Sequence, residues 1–127
     1  MPTNLRYGLA AALVTFFVLL FSCHRFHIDL IDGYQLTRVA GKRVSVTDSA
    51  RGDLPVIRGN VEQYAFSAPY ITGYASSNHV SAGTNPVAGY FLMRTDTREI
   101  LQALSEEEWK KELTRIHWAD PPLQKVP

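Results

Sequence analysis

The chain has 127 residues and a formal net charge of +1, with 13 Lys and Arg residues against 12 Asp and Glu residues. This length allows one domain with its own hydrophobic core beside a targeting segment. Basic residues never form a run longer than two, which argues against the concentrated positive face of a nucleic-acid-binding protein. The single cysteine cannot form an internal disulfide, so the core alone must hold the domain together.

The N-terminus predicts export. The run from Tyr7 to Ser22 contains no charged residue, and Arg6 precedes it. Such a run matches a long signal-peptide h-region and is slightly shorter than the roughly 20 apolar residues of a membrane-spanning helix. A positive residue before the run keeps the N-terminus inside the cell. Residues 1–22 are therefore predicted to be a hydrophobic signal peptide or anchor helix, with the rest of the chain on the exported, periplasmic side of a cell membrane.

The segment Leu20-Phe21-Ser22-Cys23 ends the apolar run. It resembles the lipobox of small exported bacterial lipoproteins, in which cleavage before the cysteine accompanies its acylation. The resemblance implies that Cys23 carries lipid, palmitate included, and anchors the protein to the inner or outer membrane. An uncleaved single-pass signal-anchor and a plain secretory signal are the alternatives.

The rest of the chain is predicted to be one small domain. We expect residues 23–32 to be a juxtamembrane linker, 33–120 a β-rich domain and 121–127 a tail. The apolar residues Phe26, Ile28, Leu30 and Ile31 indicate that part of the linker docks on the domain. Alternating apolar and polar residues between turn signals predict strands, which cover 34–40, 44–48, 54–57, 61–67, 70–75 and 90–95, with a short piece around Ile100. Successive short connections favour an antiparallel β-meander sheet of about 5–7 strands.

A C-terminal helix over residues 105–117 completes the predicted fold. Ser105 with Glu108 three residues later is typical of a capping box. Trp109, Leu113 and Ile116 form one apolar stripe, which must face the sheet. The predicted fold class is therefore α+β, with one amphipathic helix packed on the meander.

Signatures of catalysis and metal binding are weak. His24 and His27 lie three residues apart but lack the further ligands that a zinc site requires. The sequence has no G-x-S-x-G elbow and no glycine-rich phosphate loop. We therefore predict a non-enzymatic protein without a metal or a cofactor.

A binding surface is predicted around the long polar loop 75–88. Loops of this length in compact domains are functional or mobile, and tyrosines suit recognition because they combine contact area with a polar tip. The candidate binding residues are Tyr70, Tyr74, His79, Asn85 and Tyr90. Alternation requires some of the aromatic residues near this loop to point away from the face that carries the helix; these residues are Tyr64, Phe66, Tyr70, Tyr74, Tyr90 and Phe91. Tyr70 and Tyr74 are the expected surface pair.

In contrast, Phe66 and Phe91 are expected in the core.

The export signal, the lipobox-like motif and the aromatic loop surface together favour a membrane-tethered, non-catalytic lipoprotein that binds a partner protein or an envelope component through the aromatic and loop surface. An inhibitor or immunity-type lipoprotein is an alternative, since small β-rich lipoproteins that block muramidases are similar in size and location. A small hydrolase that uses His79 is a further alternative.

Overall fold

The structure is a computed structural model that describes residues 26–39, 42–78 and 88–127. The predictions for residues 1–25, including Cys23, and for His79 and Asn85 lie outside these ranges. Within the described ranges no helix is long and apolar enough to cross a membrane. These ranges form a 3-10 helix, Ser49–Arg51, one α-helix, α1 (Glu106–Arg115), and nine strands: β1 His27–Asp29, β2 Tyr34–Arg38, β3 Val44–Asp48, β4 Leu54–Pro55, β5 Asn60–Ser67, β6 Tyr70–Ser76, β7 Gly89–Arg94, β8 Ile100–Leu104 and β9 Gln124–Lys125.

The strands form two antiparallel sheets, in the orders β1-β2-β3-β4 and β8-β7-β6-β5-β9. The α+β class is therefore confirmed, but the expectation of a single meander sheet is wrong. Pairs such as Leu36 with Val46 fix the register of the first sheet, and Tyr74 with Tyr90 that of the second.

The second sheet is the middle layer of the domain, with the first sheet on one face and α1 on the other. A single sheet packed against the helix would leave one apolar face of β7 uncovered. Phe91 and Met93 point to one face of β7 and pack in the core between the sheets, whereas Leu92 points to the other face and packs with α1. All three are buried. A strand that is apolar on both faces needs a cover on each side, here the first sheet and the helix.

The crossing between the sheets follows β4. Ile57 is buried, and Gly59 has a φ of 87°. A Cβ at Gly59 would lie 2.7 Å from the backbone oxygen of Ser76. Glycine at this position therefore lets the chain pass close beside the end of β6 as it enters β5.

The ends of the described chain belong to the sheets. Part of the linker docks on the domain, as expected, because β1 pairs with β2 and the apolar linker residues pack against the core. β9 lies within the expected tail and pairs with β5. Folded structure thus extends beyond residues 33–120 on both sides. These two strands were not predicted, because edge strands of three and two residues carry almost no periodicity in the sequence.

The predicted capping of α1 is confirmed. The Ser105 hydroxyl accepts a hydrogen bond from the Glu108 amide, and the Glu108 carboxylate accepts one from the Ser105 amide. Trp109 and Leu113 are buried, and Ile116 is half-buried against the same cluster. The helical residues are 106–115, a shorter span than 105–117 because Ser105 and Ile116 are the caps.

The β5–β6 turn holds Pro69, as expected for a residue that cannot donate to a ladder. The bond between Ala68 and Pro69 is cis. Phe66 lies just before this turn and is 40% exposed, so its assignment to the core is wrong. Phe91, in the centre of the second sheet, is in the core as expected.

Candidate binding surfaces

Two of the candidate tyrosines meet beside the predicted binding loop. Tyr74 on β6 and Tyr90 on β7 are register partners, and their rings form an edge-to-face pair with centroids 5.1 Å apart. Tyr90 also stacks on the Trp109 indole at 4.2 Å. The remaining described candidate, Tyr70, lies at the other end of β6, where the Arg94 guanidinium is 5.8 Å from its ring centroid. The structure therefore joins Tyr74 to Tyr90 and separates Tyr70 from both.

These rings point toward the helix. Tyr70 and Tyr90 pack with Trp109 and Leu113 of α1, and Tyr74 shares their face by strand alternation. The expectation that some aromatic rings point away from the helix is met by Tyr64 and Phe91, which lie in the core between the sheets. The expected surface pair, Tyr70 and Tyr74, is instead half-buried on the helix side. Alternation relates residues of one strand to each other, but it does not say which face the helix covers.

Trp109 is held rigidly under these tyrosines. Its indole N–H donates to the Thr72 hydroxyl over 2.8 Å, and that hydroxyl donates to the Phe91 carbonyl over 2.6 Å. Thr72 is fully buried and Trp109 is 6% exposed. A buried tryptophan with its polar atom satisfied has one orientation, so Trp109 presents a fixed indole surface.

An open groove of about 330 Å³ lies along the helix, between α1 and the segment that follows it. We call it the aromatic groove. Its lining combines two indoles, aliphatic side chains and a charge at each rim: Trp109, Lys110, Leu113, Thr114, Trp118, Ala119, Asp120 and Pro121. The Trp118 amide donates to the Leu113 carbonyl over 3.0 Å, which turns the chain back along the helix. This groove has the size and chemistry to accept a large apolar side chain.

A second concavity, of about 430 Å³, opens between the two sheets. We call it the cationic cleft. β2 and β3 provide one wall and β5 with β9 the other, through Arg38, Lys42, Val44, Asn60, Val61, Glu62, Gln63, Lys125, Val126 and Pro127. Three of these side chains are cationic and one, Glu62, is anionic. The cleft therefore concentrates positive charge in a chain whose total charge is close to zero.

The walls of the cationic cleft are tied together. The Val44 amide donates to the Asn60 side-chain oxygen over 2.8 Å, and Arg43 donates to the Gly59 carbonyl over 3.2 Å. Within the second wall, the Glu62 carboxylate accepts a hydrogen bond from the Ser76 hydroxyl of the neighbouring strand β6 at 2.7 Å, and the same oxygen accepts another from the Asn78 amide group. Buried or bridging bonds of this kind preform the cleft.

Sequence reasoning missed the cationic cleft. Arg38, Lys42 and Lys125 are distant in the chain, and β9 brings Lys125 to β5 through a pairing that no local pattern predicts. The nearest signal was the adjacent pair Lys42-Arg43, which alone is an ordinary turn. The aromatic groove was missed in part: its Trp109 was identified as a core residue, and Trp118 was not considered.

Within the described ranges no group of three or more His, Cys, Asp or Glu side chains is placed to hold a metal ion. Outside these surfaces, burial raises the pKa of Tyr34, and the hydrogen bond from Arg94 lowers the pKa of the Asp96 carboxyl.

Comparison with protein-family models, with curated proteins and with solved structures finds no match to this chain. The function of the domain is therefore inferred from its own residues and geometry.

Proposed function

We propose that this protein is an exported, membrane-tethered lipoprotein of non-catalytic type, which binds a partner protein of the envelope through the aromatic groove. The tether is supported by the uncharged run from Tyr7 to Ser22 and by Cys23 in a lipobox-like motif. The folded domain then lies on the periplasmic side, held to the inner or outer membrane by lipid or by an uncleaved hydrophobic helix.

The aromatic groove is the observation that carries the binding proposal. Trp109 forms a fixed part of its lining, and Trp118 is half-buried beside it. Tyr74 and Tyr90 continue the aromatic surface toward the loop that holds His79 and Asn85. Large rings in preformed hollows are the side chains that dominate protein–protein affinity, because they bury area at little entropic cost.

The lining also indicates what the partner presents. The half-buried Trp118 offers apolar surface beside the buried Trp109 and Leu113, while Lys110 and Asp120 place opposite charges on the rim. An apolar side chain flanked by polar groups complements this arrangement. A protein segment meets that description better than a purely polar glycan does, which makes a protein partner the leading proposal and another envelope component the second.

A photo-crosslinking residue at Thr114 tests the proposal. Thr114 is exposed and lines the groove, whereas Lys111 is exposed on the same helix and does not line it. We expect the full-length protein in its native envelope to yield one dominant protein adduct from position 114 and none from position 111. The additional change Trp118→Ala should abolish that adduct while the protein stays folded by circular dichroism.

Two outcomes would contradict the proposal. Equal adducts from positions 114 and 111 would indicate random collisions, and an adduct that survives Trp118→Ala would place the partner elsewhere. The identity of the adduct also separates the alternatives. An inhibitor or immunity-type lipoprotein should capture an enzyme that loses activity on binding, and a hydrolase should lose a measurable turnover on His79→Ala.

A further inference from the structure

We propose that the cationic cleft binds the phosphate-bearing headgroup of an anionic phospholipid in the membrane that tethers the chain. This inference rests on the tether of the proposed function, but it concerns a different surface from the aromatic groove. It assigns a ligand class to Arg38, Lys42 and Lys125, which the partner-binding proposal does not use.

The position of the cleft relative to the tether is the first argument. The chain enters the domain at Phe26, whose ring centroid lies 5.2 Å from the Arg38 guanidinium carbon. Three peptide units separate Phe26 from Cys23. Fully extended, they span at most roughly 10 Å, and the limit is similar if the apolar run ending at Ser22 is an uncleaved anchor. Arg38 is therefore held close to the membrane surface on either interpretation of the tether.

The rest of the cleft lies at the same end of the molecule. β2 ends at Arg38 and β3 begins at Val44, so Lys42 in their connection is at this end. β5 begins there as well, because the side-chain oxygen of its first residue, Asn60, accepts a hydrogen bond from the Val44 amide. Lys125 pairs with Gln63 near that start. All three cations thus lie on the side of the domain where the chain emerges.

The charge balance of the cleft favours an anion. Three cationic side chains face one acidic side chain, and the carboxylate of that residue, Glu62, accepts hydrogen bonds from Ser76 at the end of the neighbouring strand β6 and from Asn78 just after it. The acidic first turn of α1, residues 106–108, lies on the helix layer, across the second sheet from the cleft. Arginine and lysine are the residues that proteins use for phosphate, arginine through paired N–H donors and lysine as a point charge.

Distance makes a lipid the favoured source of that phosphate. Electrostatic attraction between exposed charges is screened over about 10 Å at 0.1 M salt, which is comparable with the reach of the tether. Anionic headgroups fixed at the membrane surface therefore remain within range of the cleft at all times, whereas a dissolved anion must be recruited from dilute solution. Each basic residue near such a surface strengthens the attraction about fivefold.

Lysine acylation of the full-length protein in vesicles tests this inference. The chain has four lysines: Lys42 and Lys125 line the cleft, whereas Lys110 and Lys111 are on α1. The rate of acylation of each amine is measured by mass spectrometry in vesicles of phosphatidylcholine and of phosphatidylcholine with phosphatidylglycerol. We expect phosphatidylglycerol to slow acylation of Lys42 and Lys125, high salt to reverse this, and Lys111 to remain unchanged.

A variant adds a second criterion. Arg38→Gln should reduce the protection of Lys42 and Lys125 about fivefold, the contribution of one basic residue at an anionic surface. Arg115→Gln is the matched control, since Arg115 is exposed on α1 and bonds to Glu112 instead of the cleft. Unchanged protection in Arg38→Gln, or equal slowing at all four lysines, would overturn the proposal.

Two further experiments distinguish failure of the lipid assignment from failure of the proposed tether. Inorganic phosphate added to phosphatidylcholine vesicles should protect the cleft lysines weakly; protection equal to that by phosphatidylglycerol would assign the cleft to dissolved anions and refute the lipid assignment. Flotation with phosphatidylcholine vesicles reports the tether alone. A protein that fails to float contradicts the proposed tether, while one that floats without selective lysine protection refutes only the cleft.

Discussion

Replacement of Trp109 by alanine probes the docking of α1 most strongly. The side chain is 6% exposed, stacks on Tyr90 and donates a buried hydrogen bond to Thr72. Emptying the site of a large aromatic side chain costs about 3–5 kcal/mol in the free energy of unfolding. We therefore expect Trp109→Ala to lower the urea midpoint by about 2 M, given the usual slope for a domain of this size.

A conservative replacement separates packing from hydrogen bonding. Trp109→Phe keeps an aromatic ring against Tyr90 but removes the indole donor. The Thr72 hydroxyl still donates to the Phe91 carbonyl, so the cost of the lost hydrogen bond should be only about 0.5–1.5 kcal/mol, with the smaller ring adding a packing term.

The assay is urea unfolding of the full-length protein in mild detergent, followed by far-UV circular dichroism because one of the two tryptophans is removed. Lys111→Ala is the control, since this exposed side chain should change stability by less than about 0.5 kcal/mol. If Trp109→Ala costs no more than Lys111→Ala, the helix is not docked on the second sheet and the reasoning fails.

Three other predictions concern single features of the fold. Gly73→Ala should destabilise the domain by about 1–3 kcal/mol, measured by urea unfolding, because a Cβ there would clash with the backbone oxygen of Gln63 on β5 and lie 2.9 Å from the Phe91 ring; a neutral effect would contradict the close approach of β5 and β6. Ser105→Ala should cost about 1 kcal/mol through loss of the cap, and no loss in the same assay would mean that the capping box is not formed. The pKa of Asp96, measured by NMR, should lie below its ordinary value of about 3.9 because Arg94 donates to its carboxylate, so the stabilisation from this pair is present above that value and is lost as the pH falls through the lowered pKa; an unchanged pKa in Arg94→Gln would refute the assignment.

Local signals made part of the fold predictable from the sequence. The β2–β3 hairpin and the α1 N-terminus depend on residues close in the chain. The alternation of the two strands and the capping residues of the helix can be recognised without any tertiary information. The buried positions of Trp109 and Leu113 followed from the same helical stripe. These elements were correct because their own residues stabilise them.

The pairing of distant strands was not predictable in the same way. Alternation shows that a segment is a strand, but not which strand lies beside it. The division into two sheets depends on the crossing at Gly59 and on the cover that β1–β4 provide for Phe91 and Met93. In hindsight, the apolar residues on both faces of β7 were the one signal that a second layer was needed.

The candidate surfaces show the same contrast. Tyr74 and Tyr90 were found because both flank one loop, and the structure joins them. Their orientation toward α1 depends on which face the helix covers, a choice set by the whole core. The cationic cleft depends on Lys125 reaching β5 from the last strand, a contact between residues far apart in the sequence.

The proposed tether at Cys23 underlies both the partner-binding and the lipid-binding proposals, and the intact mass of the protein extracted from the membrane tests it most directly. The account predicts a chain that begins at Cys23 and carries the added mass of lipid, with Cys23→Ser lacking that mass. A chain that begins at Met1 without lipid but stays in the membrane would replace the lipoprotein by the uncleaved anchor. A chain without lipid that is recovered outside the membrane fraction would contradict the account.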